Sequence, residues 1–297
     1  MDAQQLTDRL DAGQKAAVLV EALPWLQEFH GRTVVVKFGG NAMVDPELTR
    51  TFAEDMAFLA LAGIRPVVVH GGGPQISAAL KAAGIPSEFR GGLRVTSREA
   101  IPVVRAALVD DVAAGLLTAL REAGASGIGL PGDLDGLLTG RRRGTVVDGV
   151  EADLGEVGEV TAVDPAPLHE ALGAGRIPVV STLARAADDG ATLNVNADSA
   201  AAAIAAELGA KKLIILTDVA GLYADWPDTA SLIGHIDAAG LRALIPDLES
   251  GMIPKMTACL QAVEGGVAKA AIIDGRQAHS PLLEIFTDQG VGTEVVL

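Results

Sequence analysis

Two hydrophobic patterns alternate along the chain. Short runs rich in Val and Ile have the length of buried strands, and they read TVVVKF, RPVVVH, IPVVST, KLIILTD and AAIID. Between these runs, Ala and Leu recur at helical spacing in PELTRTFAEDMAFLALAG, PQISAALKAAG, REAIPVVRAALVDDVAAGLLTALREAG, ADSAAAAIAAELGA and KMTACLQAVEGG. Continuous apolar strands are typical of parallel sheets that helices cover on both faces. The pattern therefore predicts an α/β fold with an open, mainly parallel sheet sandwiched by helices.

The segment from Leu137 to Val163 has a different pattern. Its residues GRRRGTVVDGVEADLGEVGEVTAV combine short β-prone runs with turn signals such as Asp148-Gly149. We interpret this segment as hairpins on an edge of the sheet. The arginines Arg141 to Arg143 are then expected on a solvated turn, and contact with nucleotide phosphates is the alternative.

About 30 residues precede the first predicted strand. Apolar residues recur there at helical spacing, at Val18, Ala22, Leu26 and Phe29. Pro24 interrupts the pattern, and because proline removes a helical hydrogen bond, we expect a kink or a break near it. Residues 1–31 are therefore predicted to form a helical extension that folds back onto the main domain or packs against another subunit.

Composition narrows the function classes. Hydrophobic residues make up 49% of the 297 residues and charged residues 21%, which is typical of a globular protein with a large core. The 23 Lys and Arg residues against 38 Asp and Glu give a formal charge of −15, which disfavours binding to nucleic acid or to anionic membranes. No apolar run has the length of a membrane span, and MDAQQLTDRL does not resemble a signal peptide, so we expect a soluble cytoplasmic protein. The single cysteine, Cys259, excludes an intramolecular disulfide and is expected in the core.

Two predicted strands run directly into glycines. In VVVHGGGPQI the glycines Gly71 to Gly73 precede Pro74, a favoured first residue of a helix, so their N–H groups can converge on an anion. One glycine would suffice for a tight turn. The adjacent His70 could be catalytic, but a histidine beside a buried strand is more often held in place by hydrogen bonds. In VVVKFGGNAM, Lys37 ends the strand, at the edge where open α/β sheets bind ligands. A lysine whose ammonium group extends to the solvent is the alternative for Lys37.

Two further segments place polar residues at helix starts. In NVNADSAAAAIAAELG, Asn194 could bind a ligand and Asp198 could pair with cations, although Asp198 or Ser199 could simply cap the helix. In GMIPKMTACL, Lys255 lies at a helix N-terminus, where a cation is unfavourable unless an anion lies nearby.

Three familiar site types are not supported. The segment from Gly127 to Gly132 satisfies G-x-G-x-x-G literally, but the residues after it do not open a helix. The dipeptide Gly-Lys never occurs, which excludes a P-loop, and the five histidines lack metal-ligand spacing.

The motifs VVVKFGGNAM, VVVHGGGPQI, GGLRVT, NVNADSAA, ILTDVAGLY and GMIPKMTA occur in the order found in the amino acid kinase family. From Thr33 onward the chain resembles the members that phosphorylate the γ-carboxylate of N-acetyl-L-glutamate with ATP and Mg²⁺, the second step of arginine biosynthesis. The resemblance implies that residues 32–190 bind acetylglutamate and residues 191–297 bind ATP. In that reaction the attacking group is the γ-carboxylate of acetylglutamate, which is already ionised at neutral pH, so no general base is needed.

Site residues are carried over from the same resemblance. It implies that Lys37 and Lys255 stabilise the transferring phosphoryl group and that Asp198 holds both ammonium groups. The residues implied to bind acetylglutamate are Gly72, Gly73, Arg94 and Asn194. Those implied to lie near the nucleotide are Gly39, Gly40, Thr217 and Asp218.

The N-terminal extension and the tail HSPLLEIFTDQGVGTEV resemble the arginine-inhibited members, whose extra helix joins dimers into a hexamer. The resemblance implies an L-arginine site with Glu284, Gly290 and Lys212, although Glu284 could be an ordinary solvated charge. Whether the oligomer is a dimer or a hexamer, and whether a PII-type signalling protein docks on it, is left open. The alternative functions are a sister kinase acting on glutamate, aspartate, carbamate or UMP, and a non-catalytic arginine or nucleotide sensor.

Overall fold

A computed structural model describes residues 11–147, 150–288 and 290–297. The helices, in chain order, are α1 (Ala12–Glu21), α2 (Leu23–Phe29), α3 (Pro46–Leu61), α4 (Gly73–Ala82), α5 (Ile101–Ala106), α6 (Ala114–Glu122), α7 (Ala166–Gly173), α8 (Ala197–Glu207), α9 (Ala238–Leu244), α10 (Ile253–Glu264) and α11 (Ser280–Phe286). A π-helical segment, Ala107–Ala113, joins α5 to α6, and single 3₁₀ turns lie at Gly40–Met43, Thr229–Ser231 and Ile245–Asp247.

The strands form one large sheet and several small ones. They are β1 (Thr33–Phe38), β2 (Arg65–His70), β3 (Phe89–Arg90), β4 (Leu93–Arg94), β5 (Gly127–Pro131), β6 (Leu138–Arg142), β7 (Thr145–Val147), β8 (Val150–Ala152), β9 (Val157–Val163), β10 (Ile177–Ser181), β11 (Leu183–Ala186), β12 (Thr192–Val195), β13 (Lys212–Thr217), β14 (Leu222–Tyr223), β15 (Leu232–Ile233), β16 (His235–Asp237), β17 (Lys269–Asp274) and β18 (Thr293–Val296).

Eight of the described strands pair in the order β16-β18-β17-β13-β1-β2-β10-β5. The six from β17 to β5 are parallel, and β18 is antiparallel to β17. The five strands predicted from the Val and Ile runs all lie in this sheet, and the open, mainly parallel architecture is confirmed. The segment after Gly127 forms β5 and then turns instead of opening a helix, as predicted.

The sheet is buried on both faces because its side chains alternate between two cores. Val35 packs on one face with β13 residues and with α8 and α10, whereas Val34 and Val36 pack on the other face with α3, α6 and α11. Cys259 belongs to the first core, as predicted, and burial raises the pKa of its thiol. None of the helices in the described ranges is both long and apolar enough to cross a membrane.

The middle segment corrects one prediction. Instead of lying on the edge of the large sheet, β6 and β9 pair with β12 and β11 in a separate, closed four-stranded sheet. The Asp148-Gly149 turn lies outside the described residues, between the paired strands β7 and β8. This sheet stands next to the large one because β11 follows β10 after a single residue.

The arginine run also differs from the predicted solvated turn. Arg141 and Arg142 are the last two residues of β6. Arg142 donates to Glu156 at 2.9 Å, to Asp188 at 2.9 and 3.0 Å and to Asp189 at 2.8 Å. Since its guanidinium is already bound by three carboxylates, this arginine has a structural role within the small sheet.

From residue 11 onward, the N-terminal extension forms α1 and α2, which are separated by a break at Ala22, just before Leu23-Pro24 opens α2. Phe29 is buried in the second core, but α1 buries none of its residues, and Val18 is exposed. The predicted interruption near Pro24 is therefore confirmed, and α1 presents its apolar positions to the outside of the chain.

Candidate active site

Three charged side chains from three different elements meet at the carboxyl end of β1. Lys37, near the end of that strand, places its ammonium nitrogen 3.0 Å from Oδ1 of Asp198. Lys255, the third residue of α10, places its own 3.2 Å from Oδ2 of the same carboxylate. Lys37 and Asp198 are buried, at 6% and 4% exposure. The structure therefore brings together the three residues that were predicted to handle the phosphoryl group.

Asp198 is free for this role because another residue caps its helix. The side chain of Asn196 accepts the N–H of Ser199 at 3.0 Å, so Asn196 is the N-cap of α8. The alternative that Asp198 or Ser199 caps the helix is thus wrong. Burial alone would raise the pKa of Asp198, but the ammonium groups of Lys37 and Lys255 hold that pKa below its ordinary value. Asp198 is therefore a carboxylate at neutral pH.

The cluster carries an excess of positive charge. Two ammonium groups face one carboxylate, and the anion that Lys255 requires at its helix N-terminus is supplied in part by Asp198. A buried cation is stable only when it is paired. One unit of positive charge is left over for an anionic ligand.

Gly39 and Gly40 let the backbone approach this cluster. A Cβ atom on Gly39 would lie 2.7 Å from the Lys37 ammonium nitrogen, so only glycine leaves that nitrogen its position. Gly40 has a φ of +73°, and a Cβ atom there would lie 3.1 Å from the carboxylate of Asp218. The segments that follow β1 and β13 therefore lie side by side.

The glycine stretch after β2 lies against the same cluster. A Cβ atom on Gly71 would contact Cβ of Ala197 at 3.5 Å, next to Asp198 in the chain. One on Gly72 would lie 2.7 Å from Leu108 of the π-helical segment, whereas one on Gly73 would meet nothing within 4 Å. The packing of Leu108 therefore leaves no room for a side chain on Gly72, whereas Gly73 faces open space at the start of α4. The first N–H groups of a helix have no acceptor within it, so they are available to an anion.

Arg94 is a buried cation, at 7% exposure. Its guanidinium donates to the Gly73 carbonyl at 3.0 Å, to Ser77 at 2.8 Å and to Ser87, and it lies 4.6 Å from the centre of the Phe89 ring. All these partners are neutral, and burial lowers the pKa of Arg94. Within residues 11–147, 150–288 and 290–297 no carboxylate forms an ion pair with it, so a bound anion would supply the missing charge.

Asn194 lies close to the same region. Its side-chain amide donates to the hydroxyl of Thr96 at 3.1 Å, two residues after Arg94. Arg94, Asn194 and the glycine stretch, all predicted to bind one substrate, are therefore linked by contacts across β4, β12 and α4.

Two of the residues predicted to lie near the nucleotide are at the carboxyl end of β13. Thr217 ends β13 and is buried, and its carbonyl accepts the N–H of Gly275 at 2.8 Å, while Asp218 lies beside Gly40. Sequence reasoning missed a cavity of about 340 Å³ nearby, which is lined by Tyr223, Trp226, Leu244 and Met252, among others. The sequence contained a signal for this cavity. Aromatic residues make up only 3% of the chain, yet its only tyrosine and one of its two tryptophans lie within one stretch of four residues.

The three residues predicted to bind arginine form a separate cluster. Lys212 opens β13 and is 3% exposed, and its ammonium group lies 2.7 Å from Glu284 and 2.9 Å from Glu294. Glu284 also accepts the N–H of Val291 at 2.9 Å, next to Gly290. Glu284 is therefore a buried partner and not an ordinary solvated charge. The cluster borders a cavity of about 490 Å³ and lies at the opposite end of β13 from Thr217, about 16 Å away.

Known proteins of the same architecture were compared with the chain. An acetylglutamate kinase of Clavibacter sepedonicus is 63% identical over 297 residues, which cover 99% of this chain and 98% of that one. An acetylglutamate kinase of Saccharopolyspora erythraea is 57% identical over 297 residues, which cover 100% of this chain and 98% of that one.

Solved structures agree with the fold. An N-acetylglutamate synthase from Neisseria gonorrhoeae, complexed with coenzyme A and N-acetyl-glutamate, is similar with a TM-score of 0.82 and 28% identity over 95% of this chain. The chain spans only 63% of that synthase's length. Carbamate kinase from Giardia lamblia bound to AMP-PNP is similar with a TM-score of 0.64 and 17% identity, covering 90% of this chain and 98% of that one, which is a likeness of fold.

The family assignment follows from these similarities together with the order of the motifs. The model of the amino acid kinase family matches residues 32–274, which is most of the chain. This range contains the lysine–aspartate cluster and both glycine segments. The chain therefore belongs to the amino acid kinase family.

Proposed function

We propose that the chain transfers the γ-phosphoryl group of ATP to the γ-carboxylate of N-acetyl-L-glutamate, giving N-acetyl-L-glutamyl 5-phosphate in the second step of arginine biosynthesis. The observation that carries this proposal is the pairing of two ammonium groups with one buried carboxylate at the carboxyl end of β1. Full-length identity of 55–63% to acetylglutamate kinases supports the choice of acceptor.

In the proposed reaction a γ-carboxylate oxygen attacks the γ-phosphorus. The bond from that phosphorus to the β–γ bridging oxygen breaks, and ADP leaves with the electron pair. The attacking carboxylate, with a reference pKa near 4.3, carries no proton at neutral pH, so no general base is required. Catalysis then depends on positioning and on neutralising the charge that spreads over the phosphoryl oxygens.

The roles of the residues follow from their places. Lys37 and Lys255 would neutralise the phosphoryl oxygens, and Asp198 would keep the two ammonium groups at fixed positions because both pair with its oxygens. Lys37 reaches the site from the central strand, with Gly39 leaving space for its ammonium group.

The acceptor would lie on the side of residues 32–190. There Arg94 would bind a carboxylate of acetylglutamate through its planar guanidinium, which suits a bidentate contact. Asn194 would hydrogen-bond the same molecule, and the N–H groups of Gly72 and Gly73 would bind oxygens at the start of α4.

The nucleotide would lie on the side of residues 191–297. Gly40, Thr217 and Asp218 would border its phosphates, and the cavity beside Tyr223 and Trp226 has the size and aromatic lining for a base. Among the described residues no three His, Cys, Asp or Glu side chains are grouped to hold a metal. Mg²⁺ is usually held by substrate phosphates and only one or two carboxylates, and it would neutralise phosphate charge when bound.

The proposal is tested by measuring ADP release from ATP and Mg²⁺ with each acceptor in turn: N-acetyl-L-glutamate, glutamate, aspartate, carbamate and UMP. Release that depends on N-acetyl-L-glutamate, with kcat/KM at least tenfold above the other acceptors, is the expected result. Preference for another acceptor would identify a sister kinase, and ATP binding without turnover would identify a sensor. Either result overturns the proposal.

We further propose that L-arginine inhibits the enzyme by binding in the cavity beside Lys212, Glu284 and Gly290. Buried carboxylates there match the guanidinium and ammonium groups of arginine. A structural relative, an N-acetylglutamate synthase from Neisseria gonorrhoeae with a TM-score of 0.78 and 27% identity, was solved with coenzyme A and L-arginine.

The exposed helix α1 would join subunits in this proposal. Removal of residues 1–30 should lower the oligomer mass in light scattering and weaken arginine inhibition. An unchanged mass together with an unchanged response to arginine would contradict it. Assembly as a dimer or a hexamer, and docking of a PII-type signalling protein, stay predictions from the family resemblance.

A further inference from the structure

His70 is the last residue of β2, and its imidazole is completely buried between two neighbouring strands and the glycine stretch. Both ring nitrogens have partners: Nδ1 lies 2.9 Å from the carbonyl oxygen of Gly71, and Nε2 lies 2.9 Å from the hydroxyl of Ser181. Its own carbonyl accepts the hydroxyl of Thr182 at 3.1 Å. The side chain and the backbone of His70 are therefore both fixed.

The partners decide where the proton lies. A carbonyl oxygen can only accept, so Nδ1 must carry the proton that it donates to Gly71. In the neutral ring Nε2 is then the acceptor, and the Ser181 hydroxyl, which can serve either way, donates to it. Burial lowers the pKa of His70 to about 4, in agreement with a neutral ring at physiological pH.

The hydrogen bond from the imidazole to the Gly71 carbonyl sets the orientation of the Gly71–Gly72 peptide group. In a planar trans peptide the C=O of Gly71 and the N–H of Gly72 point in opposite directions. When the imidazole holds that carbonyl on the protein side, the N–H of Gly72 is directed away from it. Glycine residues have no side chain to restrict this peptide, so without the imidazole it could rotate.

We propose that His70 is a positioning residue, whose Nδ1–H holds the Gly71–Gly72 peptide so that the Gly72 N–H is directed at an oxygen of the anionic acceptor. The proposal rests on the proposed function, because it takes the acceptor to lie at the glycine stretch. His70 does not touch the substrate in this arrangement and acts only through the peptide that it holds. Ser181 completes the arrangement by fixing the proton on Nδ1.

Two substitutions of His70 separate positioning from packing. In His70→Asn the side-chain NH₂ group occupies the place of Nδ1–H and can still donate to Gly71, whereas in His70→Gln the amide reaches the place of Nε2 instead. We expect His70→Asn to keep kcat/KM for the acceptor within about threefold of the wild type. For His70→Gln we expect a loss of tenfold to a hundredfold, as for other small misplacements of binding groups. The KM for ATP should stay within twofold in both, which shows that the nucleotide side is intact.

A third variant keeps the test independent of the His70 substitutions. Ser181→Ala removes the donor to Nε2 and leaves the imidazole in place, so kcat/KM for the acceptor should fall about threefold to tenfold at an unchanged KM for ATP. Equal behaviour of His70→Asn and His70→Gln, whether both keep or both lose activity, overturns the proposal. So does a wild-type kcat/KM for the acceptor in Ser181→Ala. If the wild type prefers a different acceptor, the proposed function fails, and the same comparison with that acceptor still decides the role of His70.

Discussion

Replacement of Gly39 by alanine tests the lysine cluster most directly, because the structure gives the size of the disturbance. The new Cβ atom would lie 2.7 Å from the ammonium nitrogen of Lys37 and 2.9 Å from its Cε. To regain an ordinary contact of 3.4 Å, the nitrogen must retreat by about 0.7 Å from the new Cβ atom, which changes its position beside the carboxylate of Asp198. Only the end of a flexible side chain has to move, so the expected cost in unfolding free energy is about 0.5–1.5 kcal/mol.

Catalysis should suffer far more than stability. A catalytic group displaced by about 1 Å can cost about a hundredfold in rate, so kcat of Gly39→Ala is expected to fall about 30- to 100-fold, or about 2–2.7 kcal/mol in activation free energy. The assay is ADP release at saturating ATP and N-acetyl-L-glutamate, accompanied by thermal unfolding of both proteins.

Gly173→Ala is the matched control, because a Cβ atom there meets nothing within 4 Å and Gly173 is an exposed residue at the end of α7. It should leave kcat unchanged. If Gly39→Ala keeps more than half of the wild-type kcat, the position of the Lys37 ammonium group does not limit the reaction, and the proposed role of the cluster is wrong.

Three further results are expected. Lys37→Ala and Lys255→Ala should each lower kcat at least about a hundredfold with an unchanged circular dichroism spectrum, and near-normal turnover in both variants would refute this. Lys255→Arg should also lose activity, because the planar guanidinium does not replace the compact charge of an ammonium group. Asp55 on α3 is 1% exposed, and burial raises its pKa from the ordinary value of 3.8 to about 6, so its contribution to stability is greatest below pH 3.8 and is lost as the pH rises through 6. Urea unfolding should therefore show roughly 1 kcal/mol less loss of stability between pH 5 and pH 8 for Asp55→Asn than for the wild type, and parallel losses would contradict the assignment. Gly290→Ala, whose Cβ atom would lie 2.4 Å from Oε2 of Glu284 at a φ of +61°, should raise the arginine concentration for half inhibition at least tenfold while kcat stays within twofold; an unaltered response would exclude this site.

The main sheet could be predicted because its signals are local. In β2 a run of valines ends in His70 and then glycine, and in β1 such a run ends in Lys37 and Phe38 before glycine. Each pattern marks the strand, its carboxyl end and the start of the next segment within ten residues. Parallel strands bring such ends to one edge of a sheet, so Lys37 and the glycine stretch could be expected near each other. The meeting of Lys37 with Asp198 and Lys255 required the family resemblance, because those two residues lie more than 150 positions from Lys37.

The small sheet and the helix cap could not be predicted, for two different reasons. Strand β6 pairs with β11 through Thr139 and Arg185, and neither short strand carries information about so distant a partner. At the start of α8, several residues within NVNADS can act as a cap, and only the backbone geometry shows that Asn196 does so. The prediction of a solvated turn for the run of arginines was wrong because arginine is common both on exposed turns and beside acidic partners, and the sequence does not show that a distant loop supplies such partners.

The place of β1 within the large sheet limits how the two substrates can approach each other. One edge of this strand is bonded to β2, whose end carries the glycine stretch, and its other edge to β13, whose end carries Thr217. In the proposed arrangement, a rotation of the acceptor side against the nucleotide side would have to be taken up by twist in these two ladders, whose strands lie about 4.8 Å apart. The spacing of the two reacting groups would therefore be set by adjacent strands of a single sheet.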